Sequence, residues 1–297
     1  MNTSLAGAKT TEHEAPRLLL DTNVFRGLAI GRLQSYAHRL VEISKIRMPP
    51  LLWACEITVE ELLNHIRVEE AADFAHFRAA LEWMERLCGN AGMAETLPWI
   101  LRHGAVATMG RHDDRFSATF NQLRRQVIKA DRFEDLSIAL LRNIATRRTR
   151  YLEQIDDWAR YVKVSLREIQ VRVKRSRLDA IAMSKKSVLH VSRVRAIEEA
   201  PAWGPLRSVK DQALAQRERI AFEAAQIFKV GGRTGYDPAN HPTDYSDMWL
   251  CAYPAAGYTL VTQDGRLMEA MRHGRCKAPR IVDLEKGIAM AEAWLNR

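Results

Sequence analysis

Two short apolar runs, far apart in the chain, each end on a carboxylate. Leu18-Leu19-Leu20 leads into Asp21, and Thr259-Leu260-Val261 leads through Thr262-Gln263 to Asp264. An apolar run of this length bounded by turn formers predicts a strand buried on both faces, the kind found in parallel sheets. Parallel neighbours cannot be joined by a tight turn, so helices must carry the chain back between strands. Both carboxylates then fall at the carboxyl edge of the sheet, where open α/β folds hold their ligands. An aspartate there also caps a following helix, so the residues around each acid have to decide its role.

The flanking segments fit that layout. GRLQSYAHRLVEISKI (31–46) and EITVEELLNHI (56–66) have helical spacing, and RMPPLLWAC (47–55) puts a second apolar run after a double proline. DYSDMWLCAYPAAG (244–257) begins as a helix and stops at a proline and a glycine. YTLVTQD is the next strand, GRLMEAMRHG (265–274) a short helix, and APRIVDLEKGI (278–288) a final strand and helix. Strands alternating with helices predict an α/β fold with a parallel sheet. From about 67 to 230 strand signals nearly vanish. Helical periodicity runs through 74–87, 117–130, 151–176 and 209–228, with breaks near Gly89–Gly92, Gly104–Gly110 and Pro201–Pro205. The expected organisation is an α/β domain from residues 16–66 and 234–297, interrupted by an all-helical insertion over 67–233. Residues 1–15 read as a disordered lead-in.

Charge separates the same regions. The chain of 297 residues carries a net +9, with a pI near 9.6. Residues 111–233 hold 27 Lys and Arg against 15 Asp and Glu, so the whole surplus lies in the middle. Such a balance suits a polyanionic partner. RRQVIK (124–129), RNIATRRTR (142–150), VRVKRSR (171–177) and SKKSVLHVSRVR (184–195) recur on successive helices, and Arg172, Lys174, Arg175 and Arg177 are the expected nucleic-acid contacts. Lys and Arg stems also cover apolar surface, which is the plainer account of such runs. No apolar run reaches the length of a transmembrane helix, and the N-terminus lacks a signal-peptide pattern. The cysteines Cys55, Cys88, Cys251 and Cys276 have no CxxC spacing, which fits reduced thiols in a cytoplasm. The histidines show no zinc pattern.

Four acids occupy corresponding places in this layout. Asp21 and Asp264 end strands, Glu61 lies in the helix ITVEELLNHI, and Asp247 lies in the helix SDMWLCA. Carboxylates gathered at one edge repel each other, and a hard divalent cation such as Mg²⁺ or Mn²⁺ resolves that repulsion. A carboxylate-only cluster suits metal-assisted phosphodiester hydrolysis. No GxGxxG or GxxxxGK[ST] follows the first strand, which argues against a nucleotide-binding site.

"LLLDTNVFRGL", "ITVEELL", "DMWLCA" and "LVTQD" resemble, in order, the four signature segments of the PIN domain. That family comprises metal-dependent nucleases, mostly ribonucleases, with a Rossmann-like α/β/α sandwich, and includes toxins of bacterial toxin–antitoxin pairs. The resemblance covers about 115 residues and implies a PIN-like sandwich carrying a large helical insertion. It implies Asp21, Glu61, Asp247 and Asp264 as the acids, with Glu60 the alternative to Glu61. Asp244, one helical turn before Asp247, would be an added ligand or an N-cap. Asn23 and Thr262 would orient carboxylates by hydrogen bonding. The expected cofactor is Mg²⁺ or Mn²⁺, and the expected substrate is RNA in preference to DNA. A toxin or defence effector is one role, and a second copy of the chain or a protein partner is the rival occupant of the helical part. The other class of function is a PIN-like scaffold that binds nucleic acid or protein with little or no catalysis.

Overall fold

The computed structural model describes residues 15–46, 49–66, 71–97, 100, 114–176, 241, 243–273 and 280–297; for 71–72, 114–118, 161–163, 165–176, 255 and 270–273 only the backbone is described. In chain order the elements are β1 (Leu18–Leu20), α1 (Thr22–Ala29), α2 (Gln34–Ser44), β2 (Leu52–Trp53), α3 (Glu56–Asn64), α4 (Ala71–Leu87), α5 (Asp114–Lys129) and α6 (Ile138–Ser176). They continue with α7 (Thr243–Leu250), β3 (Thr259–Val261), α8 (Gly265–His273), β4 (Ile281–Val282) and α9 (Leu284–Leu295). Where residues 67–233 are described they are mostly helical, with turns and irregular chain around 88–96 and 130–137 and a single bridge residue, Met93. Residues 1–14 of the expected lead-in, residues 231–240 of an expected Gly- and Pro-bearing linker over 231–244, and the periodic segment 209–228 lie outside the described residues.

The four strands form one parallel sheet in the order β2-β1-β3-β4. Leu18 pairs with Leu52 and Thr259, and Leu260 with Ile281. β1 is therefore central, and the chain leaves it first toward β2 and later toward β3. That reversal makes the β1/β3 junction the topological switch point, where a crevice opens outside the strands' carboxyl ends.

Why the strands are apolar throughout follows from burial on both faces. Leu18 and Leu20 join a core with Phe25, Leu40, Leu62, Leu81, Val261 and Ile288. Leu19 points the other way, into a core with Trp53, Met248, Tyr253, Tyr258 and Leu260. The alternation is the period of two of a strand, and each leucine so buried stabilises the fold by about 1.5–3 kcal/mol. The helices α4, α5 and the first turns of α6 belong to the first core through Phe74, Met84, Leu123, Val127, Leu140 and Ile144. Packing is thus continuous across residue 67.

One strand-like contact lies within the helical region. Ala54, just after β2, makes a parallel bridge with Met93, through Ala54 N–H to Gly92 O at 2.8 Å and Ala94 N–H to Ala54 O at 2.7 Å. A Cβ on Gly92 would lie 2.4 Å from Leu52 O and 2.6 Å from Cys88 O, both backbone atoms that cannot step aside. Gly92→Ala is expected to lower the thermal midpoint by about 5 °C or more, from an overpacking cost of roughly 1–3 kcal/mol. Gly265→Ala, where a Cβ meets nothing, is the control and should leave the midpoint within about 1–2 °C.

The opposite, amino edge of the sheet holds a cation. Arg17 lies over the rings of Trp53 and Tyr258 and pairs with Glu95 at 3.1 Å. It is committed there and neutralises nothing at the carboxyl edge. Among the described residues no helix is long and apolar enough to cross a membrane.

Candidate active site

Asp21 stands where β1 becomes α1. Its backbone continues the ladder, N–H to Val261 O at 3.0 Å, and its side chain caps α1 by accepting from Thr22 N–H at 2.6 Å. The other carboxylate oxygen accepts from Asn23 Nδ2 at 2.6 Å and Thr262 Oγ1 at 2.7 Å. Asn23 Nδ2 also donates to Thr262 Oγ1 at 3.0 Å, and Asn23 Oδ1 accepts from Gln263 N–H at 3.1 Å. Thr262 Oγ1 accepts from Asp264 N–H at 3.0 Å. These bonds stitch the ends of β1 and β3 together across the switch point. Asn23 and Thr262 hold the Asp21 carboxylate, as expected of them.

Glu61 comes from α3, which packs against α1, α6 and α7. It is buried, and its Oε2 accepts from Thr22 Oγ1 at 2.7 Å. Glu60, one residue earlier, is half-buried; burial raises its pKa and the Arg147 guanidinium opposes that rise. Of the two glutamates, Glu61 is the one tied to the Asp21 turn. Asp247 is half-buried in α7. Asp244 sits in the first turn of α7, inside the helix and not at its cap.

The acids feel one another. Asp21 is pushed up to about 6, by burial first and with the Asp264 charge adding, against the lowering bonds from Thr262, Thr22 and Asn23. Glu61 is pushed up to about 7, again by burial first and then by Asp21, with Thr22 and Arg26 opposing. The Asp247 carboxyl is raised well above its ordinary value by burial and then by Asp21, Glu61, Asp244 and Asp264, in that order. Four carboxylates from four elements therefore share one field.

Asp264 takes the capping role as well. Its Oδ1 accepts from Arg266 N–H at 2.7 Å and Leu267 N–H at 3.2 Å, opening α8, with Arg266 Nε 3.9 Å away. Among the described residues no three His, Cys, Asp or Glu side chains stand close enough to ligate one ion together. Asp21, Glu61 and Asp264 each face protein donors instead. By chemistry the set fits a hard divalent cation: carboxylate oxygens alone, two of them buried, at Asp21 and Glu61, and two half-buried, at Asp247 and Asp264.

The helical region reaches this site. Tyr151 of α6 hydrogen-bonds Ser246 in α7 at 2.5 Å, and its phenol is raised by burial first and then by Glu61, Glu60 and Asp247. Its ring packs edge-on against Tyr245, and Arg147, one turn earlier on α6, acts on Glu60 and on Glu56. Only the place of Ser246, directly before Asp247, hints at this in the sequence. Tyr151 is half-buried on a long helix and carries no local sequence signature. Arg172, Lys174 and Arg175 fall in the last turns of α6, where backbone alone is described, and Arg177 lies outside the described residues.

Fold and site together define an α/β protein with a parallel sheet and an acidic switch point. Comparison with protein-family models, curated proteins and solved structures gives no match.

Proposed function

We propose that the chain is a PIN-like, Mg²⁺- or Mn²⁺-dependent nuclease that hydrolyses phosphodiester bonds, with RNA preferred over DNA. The observation that carries this is the joining of Asp21, Asn23, Thr262 and Asp264 at the β1/β3 switch point, within the shared field of Glu61 and Asp247. Asp21, Glu61, Asp247 and Asp264 would hold the ion, with Asp244 adding charge behind Asp247. When bound, the ion supplies an activated water and neutralises charge developing on the phosphoryl group. Asn23 and Thr262 hold the Asp21 carboxylate in one orientation, and the apolar walls of both cores keep bulk water from the sheet beneath it. Incubating the purified protein with total RNA and Mn²⁺, then mapping the cut ends, tests the proposal. Intact RNA at millimolar Mn²⁺ argues against it.

A second reading is a scaffold that binds nucleic acid or protein without catalysis. The capping bonds of Asp264 favour it, since a carboxylate committed to its helix is less available to an ion.

Under the nuclease reading the basic middle would be the nucleic-acid platform. Replacing Arg172, Lys174, Arg175 and Arg177 together with Gln is expected to weaken RNA binding by a similar factor across sequences. Each lost phosphate contact also flattens the slope of log K against log salt, by about 0.7 per contact for single strands. A titration series at several salt concentrations reads both. Unchanged affinity with an altered oligomer by light scattering would assign these residues to a protein interface or a second copy of the chain.

A further inference from the structure

Helices α1 and α3 meet in two layers. The first is Thr22 with Glu61, bonded at 2.7 Å. Four residues further along each helix, on the same stripe, stand Arg26 and His65. That is about 6 Å along the axis, at 1.5 Å per residue. Phe77 of α4 joins the second layer. The Arg26 guanidinium stands over its ring, 5.7 Å from the centroid, and the His65 ring stacks on it with centroids 5.0 Å apart and planes within 4°. Phe77 is itself buried, so three helices fix the place of this cation. Arg26 is exposed, and among the described residues its guanidinium closes no ion pair and makes no hydrogen bond. Its charge acts on Glu61, yet it does not pair with that acid. Arg39, by contrast, closes on Glu285 at 2.9 Å and on Glu292 at 2.8 Å. An arginine that serves to neutralise an acid closes in that way. Arg26 is held by an aromatic face, which attracts the cation and leaves the N–H donors of its fork unspent.

We propose that Arg26 is a substrate-binding residue that holds the phosphate next to the scissile one, its guanidinium donating to the two non-bridging oxygens. The inference rests on the nuclease reading above and names which part of the strand the acidic site grips. A polyanion that approaches four carboxylates is repelled along its length, and a divalent ion among the acids offsets this only at the linkage it touches. A cation one helical turn from Thr22 offsets it at the neighbouring linkage. The planar fork suits two phosphate oxygens at once. No bond is made or broken by Arg26, so its loss should appear in KM rather than in kcat.

The test uses the full chain, Mn²⁺ and labelled single-stranded RNAs, each with one uncharged methylphosphonate linkage beside the cut. With the wild-type chain, one such linkage should raise KM by about tenfold, the order of a hydrogen bond to a charged group. Arg26→Gln should raise KM for unmodified RNA by a similar factor. It should also flatten the slope of log KM against log salt by about 0.7. In that variant the same methylphosphonate should cost nothing further, because the contact has already gone. Arg26→Lys should keep the salt slope and recover part of the affinity, since a point charge replaces the fork. Mn²⁺ affinity by calorimetry should stay level or rise in Arg26→Gln, as a cation has left the field of Glu61. An unchanged KM in folded Arg26→Gln overturns the proposal, and so does a methylphosphonate that costs the same in that variant as in the wild type. A fall in Mn²⁺ affinity also overturns it, because Arg26 would then be a prop for Glu61. Should Arg26→Gln not fold, the wild-type chain decides, and the absence of any sensitive linkage beside the cut rejects the contact. A wild-type chain that leaves unmodified RNA intact fails at the nuclease reading itself, and the role of Arg26 falls with it. Cleavage by the wild type with the same KM in Arg26→Gln rejects Arg26 alone.

Discussion

Asp21→Asn is expected to abolish Mn²⁺-dependent cleavage and to leave the fold intact. The residue sits at the one junction that β1, α1 and the end of β3 all share. An asparagine retains a carbonyl to accept from Thr22 N–H, and the Thr262 hydroxyl can turn to accept from the new amide. The hydrogen-bond loss is therefore partial. Against it stands the removal of a charge that raises both Glu61 and Asp247. The apo protein should be as stable as the wild type or more so, while the ion loses its central ligand. Asp264→Asn should also abolish cleavage, and it should keep the α8 cap because Asn caps as well as Asp. Cleavage of labelled RNA alongside thermal melts separates the two effects. Full activity in either variant removes that acid from the ligand set.

How much of this was legible in the sequence depends on how local the signal was. The acids at the ends of β1 and β3 were legible because an apolar run stopped by a carboxylate is a pattern within a few residues. The parallel sheet followed from helices lying between those runs. The choice between Glu60 and Glu61 was not legible, since both lie on one exposed-to-buried helix border. What the fold adds is that Glu61 accepts from Thr22, while Arg147 acts on Glu60. The capping bonds of Asp264 go beyond the turn aspartate that its place before Gly265 suggests, and they exist beside its place in the acid field. Packing across residue 67 was hidden because periodicity tells which face of a helix is apolar and says nothing of what covers it. The same limit hid Tyr151, whose partners lie about a hundred residues later in the chain. The bridge at Met93 was hidden as well, because a single strand-like residue after a glycine turn leaves no alternation to read.

Stability of the apo protein should fall as pH rises from about 5 to about 8, the reverse of ordinary acid denaturation. Asp21 moves from 3.8 to about 6 on folding, Glu61 from 4.5 to about 7, and Asp247 upward from 3.8. Between about pH 4 and pH 7 the native state thus holds more protons than the unfolded chain. The slope of unfolding free energy with pH is then negative. The contribution is fully present below the unfolded pKa values and is lost as pH climbs through the folded ones. Its size is on the order of a few kcal/mol, since each tenfold change in proton affinity is about 1.4 kcal/mol. A few kcal/mol is about 5–10 °C in a chain of this size. Exposed acids with lowered pKa, such as Glu42 and Glu292, act in the opposite sense but below about pH 4.5, outside this window. Mn²⁺ competes with the same protons, so it should raise the midpoint at pH 8 by more than at pH 5. At a hundred times its dissociation constant the gain is about 2.7 kcal/mol. Asp21→Asn should flatten the pH slope and blunt the Mn²⁺ shift together. Melts at pH 5 and pH 8, with and without metal, read all of this. A midpoint flat in pH would mean that the acids are not held as the geometry has them. A midpoint that falls with pH yet ignores Mn²⁺ would leave the cluster real but metal-free, and would favour the binding scaffold over the nuclease.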